Sequence, residues 1–335
     1  MAGTLGNNSY GKSRVRVLRV VRNANRHALS ELDVAIQLTG DFTAAHVTGD
    51  NAHILPTDTM KNTAYALAAL APKGIIEQPE TYALRFVEHL LSHGEAPIES
   101  ATVTCIERSW SRLVIDGARH DHAFQHESTG GTRTCVAYGD SDGVRSVHAG
   151  IRDLLVLKST ESGFEGYIVD EYTTLPPTND RIFSTSMDIL WAYRDDTVAG
   201  SVKAGTFGAG SAGAGSAGAG VTADAGADAG ADASSNAGVG ADAGEIDWAE
   251  SWHAVRAAVL RAFATGYSAS VQQTGLLAGQ AALDAVPAIE RISLGLPNKH
   301  FLPVDMTRLG LENRNEIFLP TDEPHGQINL TVVRD

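Results

Sequence analysis

The chain is poor in cysteine, in positive charge and in long apolar runs. Only Cys105 and Cys135 occur in 335 residues, with no CxxC spacing. Each lies in a strand-like run, where a buried thiol behaves as a small hydrophobe. Two such residues make no disulfide framework, so a reducing compartment is expected. Lys and Arg total 26 against 40 Asp and Glu, giving a net charge of −14 at pH 7. That deficit argues against nucleic acid and against an anionic membrane surface, since both need clustered cations. The acidic charge reads as a solubility feature. No apolar run approaches the roughly 20 residues of a membrane helix. The opening MAGTLGNNSYGKSR has no apolar signal core, so the cytoplasm is the expected location. The final Val333-Arg334-Asp335 is not a peroxisomal Ser-Lys-Leu address. No GxGxxG opens a helix after a strand and no Walker loop occurs, which fits chemistry without a bound nucleotide or flavin.

What is present suits a sizeable core. Hydrophobic residues make up 43% of the chain, and its length fits two ordinary domains or two fused copies of one fold. Arg14 to Arg22 (RVRVLRVVR) and Glu31 to Phe42 (ELDVAIQLTGDF) read as strands. In the second, Leu32, Val34, Ile36 and Leu38 alternate with Asp33, Ala35, Gln37 and Thr39, the period of a half-buried strand. The polar link NANRHALS makes the pair an antiparallel hairpin. Helical stretches follow: TAYALAALAPKG, expected to stop near Pro72 and Gly74, and ETYALRFVEHLLSHG, with Leu84, Val87 and Leu91 on one face. ATVTCIERSWSRLVI then reads as one strand, with Thr134 to Tyr138 and Val144 to Ile151 as its neighbours. Strands, then helices, then strands imply an antiparallel sheet with helices on one face.

From Ala204 to Gly244 the composition collapses to Gly, Ala, Ser and Asp, with twelve glycines, four Asp and no Lys or Arg. Such a tract buries too little apolar surface to offset its ordering entropy and is expected to be a disordered linker. Beyond it, Trp248, Trp252, Val255, Val259 and Phe263 fall at helical spacing, as a core face does. A second helix spans Ser270 to Ala285, and strands are expected at ISLGL, NEIFLP and QINLTVV. The two-strand, two-helix, two-strand order thus recurs, as residues 1–150 and 151–335.

Several polar clusters stand out. In TDTMKNT (Thr57 to Thr63) the bland reading is a helix start, with Thr57 or Thr59 as N-cap and Asp58 at the positive end of the dipole. The same feature displays free N–H donors toward an anionic ligand. Tyr10-Gly11-Lys12 precedes a strand, where a lysine is usually a solvated charge. LKSTESGFEGYIVDEYTTLPPTNDR (Leu157 to Arg181) holds Phe164 and Arg181, whose ordinary readings are a core aromatic and a surface ion pair. Ser268-Ala269-Ser270-Val271-Gln272 opens a helix. LPNKHF contributes Asn298 and His300, where a lone histidine is usually structural. His120 and His122, with His126 nearby, share a strand face, but such loose spacing is a poor metal signal against surface histidines.

Taken together, YGK, TDTMKNT, the Leu157–Arg181 segment, SxSVQ and LPNKHF resemble the urate oxidase (uricase) family, from about Tyr10 to Arg334. The resemblance implies tandem T-fold units of α+β class, assembled as an oligomeric barrel. It implies a homotetramer with sites between subunits. It also implies oxidation of urate by dioxygen and water to 5-hydroxyisourate and hydrogen peroxide, with no cofactor and no metal. By that likeness Lys12, Thr57 and His300 form a proton relay, in which an amine withdrawn from water acts as base and the threonine hydroxyl as conduit. Thr57 and Asp58 reach the substrate from a neighbouring subunit. Phe164 lies beneath the purine ring, Arg181 and Gln272 clamp its edge, Val271 offers a backbone amide, and Asn298 holds water or dioxygen. The family carries an HxHAF pattern at His120 and His122 while working without metal. This chain departs from it by the Ala204–Gly244 insert and by Pro56 before Thr57. The alternatives are a metal-dependent T-fold lyase or hydrolase acting on pterins or purines, and a non-catalytic purine-binding protein.

Overall fold

The Leu32–Leu38 alternation is realised directly: Leu32, Val34, Ile36 and Leu38 are buried, while Asp33, Ala35, Gln37 and Thr39 sit on the more open face. The computed structural model describes residues 3–23, 26–71, 76, 78–94, 96–127, 130–195, 197–198 and 246–335. The Ala204–Gly244 tract, Pro72 and Gly74 lie outside the described residues.

Strand β1 (Ser9–Arg22) pairs antiparallel with β2 (His27–Gly40) out to Arg22↔His27. The hairpin link is therefore shorter than the sequence suggests, because ladder pairing satisfies the backbone of residues 27–30. Short α1 (Thr43–Val47), α2 (Thr57–Leu70) and α3 (Pro79–Leu91) follow. Next come β3 (Ile98–Glu107), β4 (Trp110–Ile115), β5 (Ala118–His126), β6 (Thr132–Asp140), β7 (Arg145–Lys158) and β8 (Phe183–Tyr193). Helices α4 (Trp248–Ala264) and α5 (Val271–Ala285) lead to β9 (Ile289–Pro303) and β10 (Phe318–Val333).

Among the described residues, eight strands form one antiparallel sheet in the order β1-β2-β3-β6-β7-β8-β9-β10. Two ββααββ sets lie side by side in it: β1, β2, α2, α3, β3, β6, then β7, β8, α4, α5, β9, β10. Helix α2 packs on β1, α3 on β3 and β6, α4 on β7, and α5 on β9 and β10. Strand and helix apolar faces merge in one core, where Val87 and Leu90 of α3 and Val255 and Val259 of α4 join Ile151, Met187 and Trp191. Each such side chain, fully buried, contributes roughly 1.5–3 kcal/mol. This is a tandem T-fold of α+β class.

The two halves also end their helices alike. Arg19 of β1 donates to the carbonyls of Ala68 and Ala71 at the end of α2. Arg334, just past β10, donates to Leu283 and Val286 at the end of α5. Guanidinium groups on a strand or just beyond one thus satisfy carbonyls that helix ends leave open.

Two expectations are corrected. ATVTCIERSWSRLVI is two strands: the chain leaves the main sheet after Glu107 and makes the separate β4–β5 hairpin. Buried Glu31 explains the break, since it pairs with Arg16 and Arg108 and accepts from Trp110 Nε1 at 2.7 Å. NEIFLP and QINLTVV, by contrast, belong largely to the single long β10, whose register slips between Thr321 and Gly326. Cys105 and Cys135 are buried, unbridged and directly opposed across β3 and β6. Among the described residues no helix is long and apolar enough to cross a membrane.

Candidate active site

The sequence-predicted site residues fall into two groups at distant positions in the sheet. The first gathers around edge strand β1. Gly11 lets β1 approach β2 closely, because a Cβ there would lie 1.9 Å from the Ile36 carbonyl oxygen. The β1–β2 register then slips between Lys12 and Val15, with Arg14 at φ 58°. A bulge of this kind re-aims the neighbouring side chains, and Lys12 sits at its start.

Tyr10 fastens the approach to α2 onto this strand. Its hydroxyl donates to the Leu55 carbonyl at 3.1 Å and accepts from the Leu55 N–H at 3.0 Å, while its ring meets Phe42 edge-on. Thr57 is the first residue of α2, and Pro56, not Thr57 or Thr59, occupies the N-cap. Proline suits the start of a helix because its φ is fixed, and no side chain caps this end. The Thr57 hydroxyl is thus not the capping group. Asp58 lies in the first turn, where it ion-pairs with Lys61 and accepts from Asn62 Nδ2 at 2.9 Å. Its carboxyl is held below the usual range by Lys61 first, with a smaller contribution from the Lys12 ammonium. Lys12 and Asp58 therefore share one electrostatic neighbourhood.

The second group gathers in the other half. Phe164 and Thr178 exchange backbone hydrogen bonds, 2.7 Å from Phe164 N–H and 3.2 Å from Thr178 N–H. The Arg181 N–H donates to the Ser162 carbonyl at 2.8 Å. Ser162 in turn bridges to Ser268: Gly163 N–H donates to Ser268 O and Ser268 N–H to Glu161 O, both at 2.9 Å. The loop bearing Phe164 and Arg181 is thus stitched to the turn that opens α5. There Ser270 is the N-cap, accepting from the Gln273 N–H at 3.1 Å, with buried Val271 and exposed Gln272 in the first turn.

Arg181 lies two residues before β8, whose Ser184 and Thr185 pair with Lys299 and Asn298 of β9. Asn298 also pairs with Gly326, and His300 with Thr321, on either side of the β10 slip. His300 is a half-buried residue within a strand rather than one beyond it. Phe164, Arg181, Val271, Gln272, Asn298 and His300 are thus tied into the β8–β9 end of the second half.

The electrostatics of this group suit a flat anion. The Arg181 guanidinium carbon lies 5.4 Å from the centre of the half-buried Phe164 ring. Burial makes the Arg181 cation less favourable, and its Nε is buried without a hydrogen-bond partner. A desolvated guanidinium with an unspent donor favours an incoming anion. Behind Phe164 the Tyr167 ring is stacked, with centroids 4.9 Å apart and planes 12° apart.

His120 and His122 lie elsewhere, on the β4–β5 hairpin. The Nδ1 of His120 accepts from the backbone N–H groups of His122 and Ala123, at 3.3 and 3.1 Å. Among the described residues no three His, Cys, Asp or Glu side chains converge to hold a metal.

The family model described as Uricase matches residues 8–136 and 147–329, a span that includes every candidate site residue. The chain belongs to the uricase family. A uricase of Oryctolagus cuniculus is 35% identical over 330 residues, covering 97% of this chain and 93% of that protein. A uricase of Arthrobacter globiformis is 34% identical over 331 residues, covering 99% and 90% respectively. A crystal structure of the uricase from Arthrobacter globiformis superposes with TM-score 0.78 at 33% identity, covering all of this chain and 96% of that one.

Within this uricase-family chain, residues that sequence reasoning passed over brace those it selected. Tyr167 stacks on Phe164, and Tyr267 donates from its hydroxyl to the Asn179 carbonyl at 3.0 Å. Both lie beside recognised motifs, yet a tyrosine in a polar loop carries no periodicity to mark it.

Proposed function

We propose that this uricase-family enzyme oxidises urate with dioxygen and water to 5-hydroxyisourate and hydrogen peroxide, without a cofactor. The observation that carries the reading is the desolvated Arg181 guanidinium set against the Phe164 ring, with an unspent donor. A flat, anionic purine needs such a stacking surface and planar donor pair. Gln272 at the start of α5 both donates and accepts, and would complete the grip on the ring edge opposite Arg181. Val271 would lend its free helix-terminal N–H, and Asn298 would hold water or dioxygen.

In this reaction the substrate is the electron donor. Removing a proton from bound urate makes it electron-rich. Two electrons then pass to dioxygen, which leaves as peroxide with two protons, and water supplies the new hydroxyl at the oxidised carbon. Lys12, Thr57 and His300 would move those protons.

One chain does not bring the relay together. Lys12 lies on edge strand β1 and His300 on β9, six strand positions along the sheet. At about 4.8 Å per strand the path is roughly 29 Å. Thr57 and Asp58 would therefore serve a site on a second copy, whose β1 edge approaches this chain's β8–β9 end. Closure of the open β1 and β10 edges into a barrel would hide otherwise unpaired backbone. A homotetramer with interfacial sites is the assembly that the family resemblance implies, built from the two ββααββ units of each chain.

The test is urate loss by ultraviolet absorbance together with an oxygen electrode, on metal-stripped protein with chelator present. Equal consumption of urate and dioxygen with peroxide release is expected. Silence relieved by added metal would refute the cofactor-free reading, and silence in both conditions would refute urate oxidation.

A further inference from the structure

We propose that Tyr267 is a positioning residue for Arg181, a latch that crosses from the turn before α5 to the loop bearing the guanidinium. Its importance for urate binding rests on the reading of Arg181 as the urate-gripping group; the latch itself does not.

The geometry is specific. The Tyr267 hydroxyl donates to the carbonyl of Asn179, two residues before Arg181, at 3.0 Å. The phenol also sits directly over Gly163: a Cβ there would lie 2.0 Å from the Tyr267 hydroxyl oxygen, 2.9 Å from the Thr178 carbonyl oxygen and 3.1 Å from the Asn179 Cα. Gly163 is thus the one side-chain-free position that lets the phenol reach the Thr178–Asn179 backbone. The backbone on each side is already tied, with Ser268 bonded to Glu161 and Gly163, and Arg181 to Ser162. Tyr267 closes that circuit from Ser268 across Gly163 to Asn179.

Closure matters because Arg181 is held by little else that is polar. Its Nε is buried without a partner, and its guanidinium rests over Phe164. Tyr267 is itself 48% exposed, so a purely core-filling role does not account for it. A side chain that bonds with its hydroxyl, stands half in solvent and spans the two loops of the clamp fits orientation better than bulk stability.

Tyr267→Phe keeps the ring and removes only the latch, and Tyr267→Ala removes both. Urate KM and kcat, melting temperature and amide hydrogen exchange across residues 160–182 are measured for both and for the parent. Loss of one hydrogen bond corresponds to about a five-fold change. Tyr267→Phe is therefore expected to raise urate KM about five-fold with kcat nearly unchanged, and to speed exchange of the Arg181 amide by a similar factor. Unchanged KM and unchanged exchange would overturn the proposal. So would a fall in melting temperature with kcat and KM altered together, which marks a structural residue. If the parent protein does not oxidise urate but Tyr267→Phe still frees the Arg181 amide, the functional reading fails and the latch stands.

Discussion

The guanidinium of Arg181 lies over the Phe164 ring, 5.4 Å from its centre, although the two residues are 17 apart in sequence. What joins them is backbone: the Phe164–Thr178 bridge folds the loop back on itself, and the Arg181 N–H reaches Ser162. The Phe164 ring and the Arg181 guanidinium are therefore positioned by one closed loop.

Arg181→Ala is expected to act on binding. A hydrogen bond to a charged group contributes about 1.5–3 kcal/mol, so urate KM should rise about 10- to 150-fold with a smaller effect on kcat. Steady-state kinetics check this; a loss confined to kcat would show that Arg181 acts in the chemical step instead.

Lys12→Ala and Thr57→Ala are expected to lower kcat by at least about 100-fold, the scale of general acid–base catalysis, while urate still binds. Equilibrium binding under nitrogen separates the two effects. Intact turnover in both variants would remove the relay assignment.

Asp247 tests how pH reaches the fold. It is the N-cap of α4 and accepts from the N–H groups of Ala249 and Glu250, both at 3.0 Å. The bond from Glu250 is the largest influence holding its carboxyl below the ordinary range. A depressed carboxyl contributes stability above its unfolded value of about 3.9. That contribution is lost as pH falls through the lower folded value. Asp247→Ala should cost about 1 kcal/mol near neutral pH, and the gap to the parent should shrink only below about pH 4. Urea denaturation at several pH values measures it.

Much of this was legible in the chain. The Leu32–Leu38 alternation marks a half-buried strand, and Trp248, Val255, Val259 and Phe263 mark the buried face of α4, because burial leaves a period in the sequence. Trp252 falls on the same spacing and is only partly buried. Long-range polar contacts leave no such trace. The break after Glu107 depends on Glu31, distant in sequence but adjacent across the β2–β3 pair. Continuation of β10 past Thr321 depends on a partner strand that tolerates a slip. Tyr167 and Tyr267 act through backbone carbonyls at Leu175 and Asn179, contacts that exist only once the loops are folded. The motifs supplied candidate residues; their division between β1 and the β8–β9 end required the strand order.

That division is tested most directly by mixing subunits. Thr57→Ala and Arg181→Ala chains, each of low activity alone, are co-expressed and the mixed assemblies purified. If each site joins Thr57 of one copy to Arg181 of another, random assembly restores about a quarter of the parent's activity. Activity no greater than the sum of the two variants alone, in assemblies shown to contain both chains, would contradict a site shared between copies.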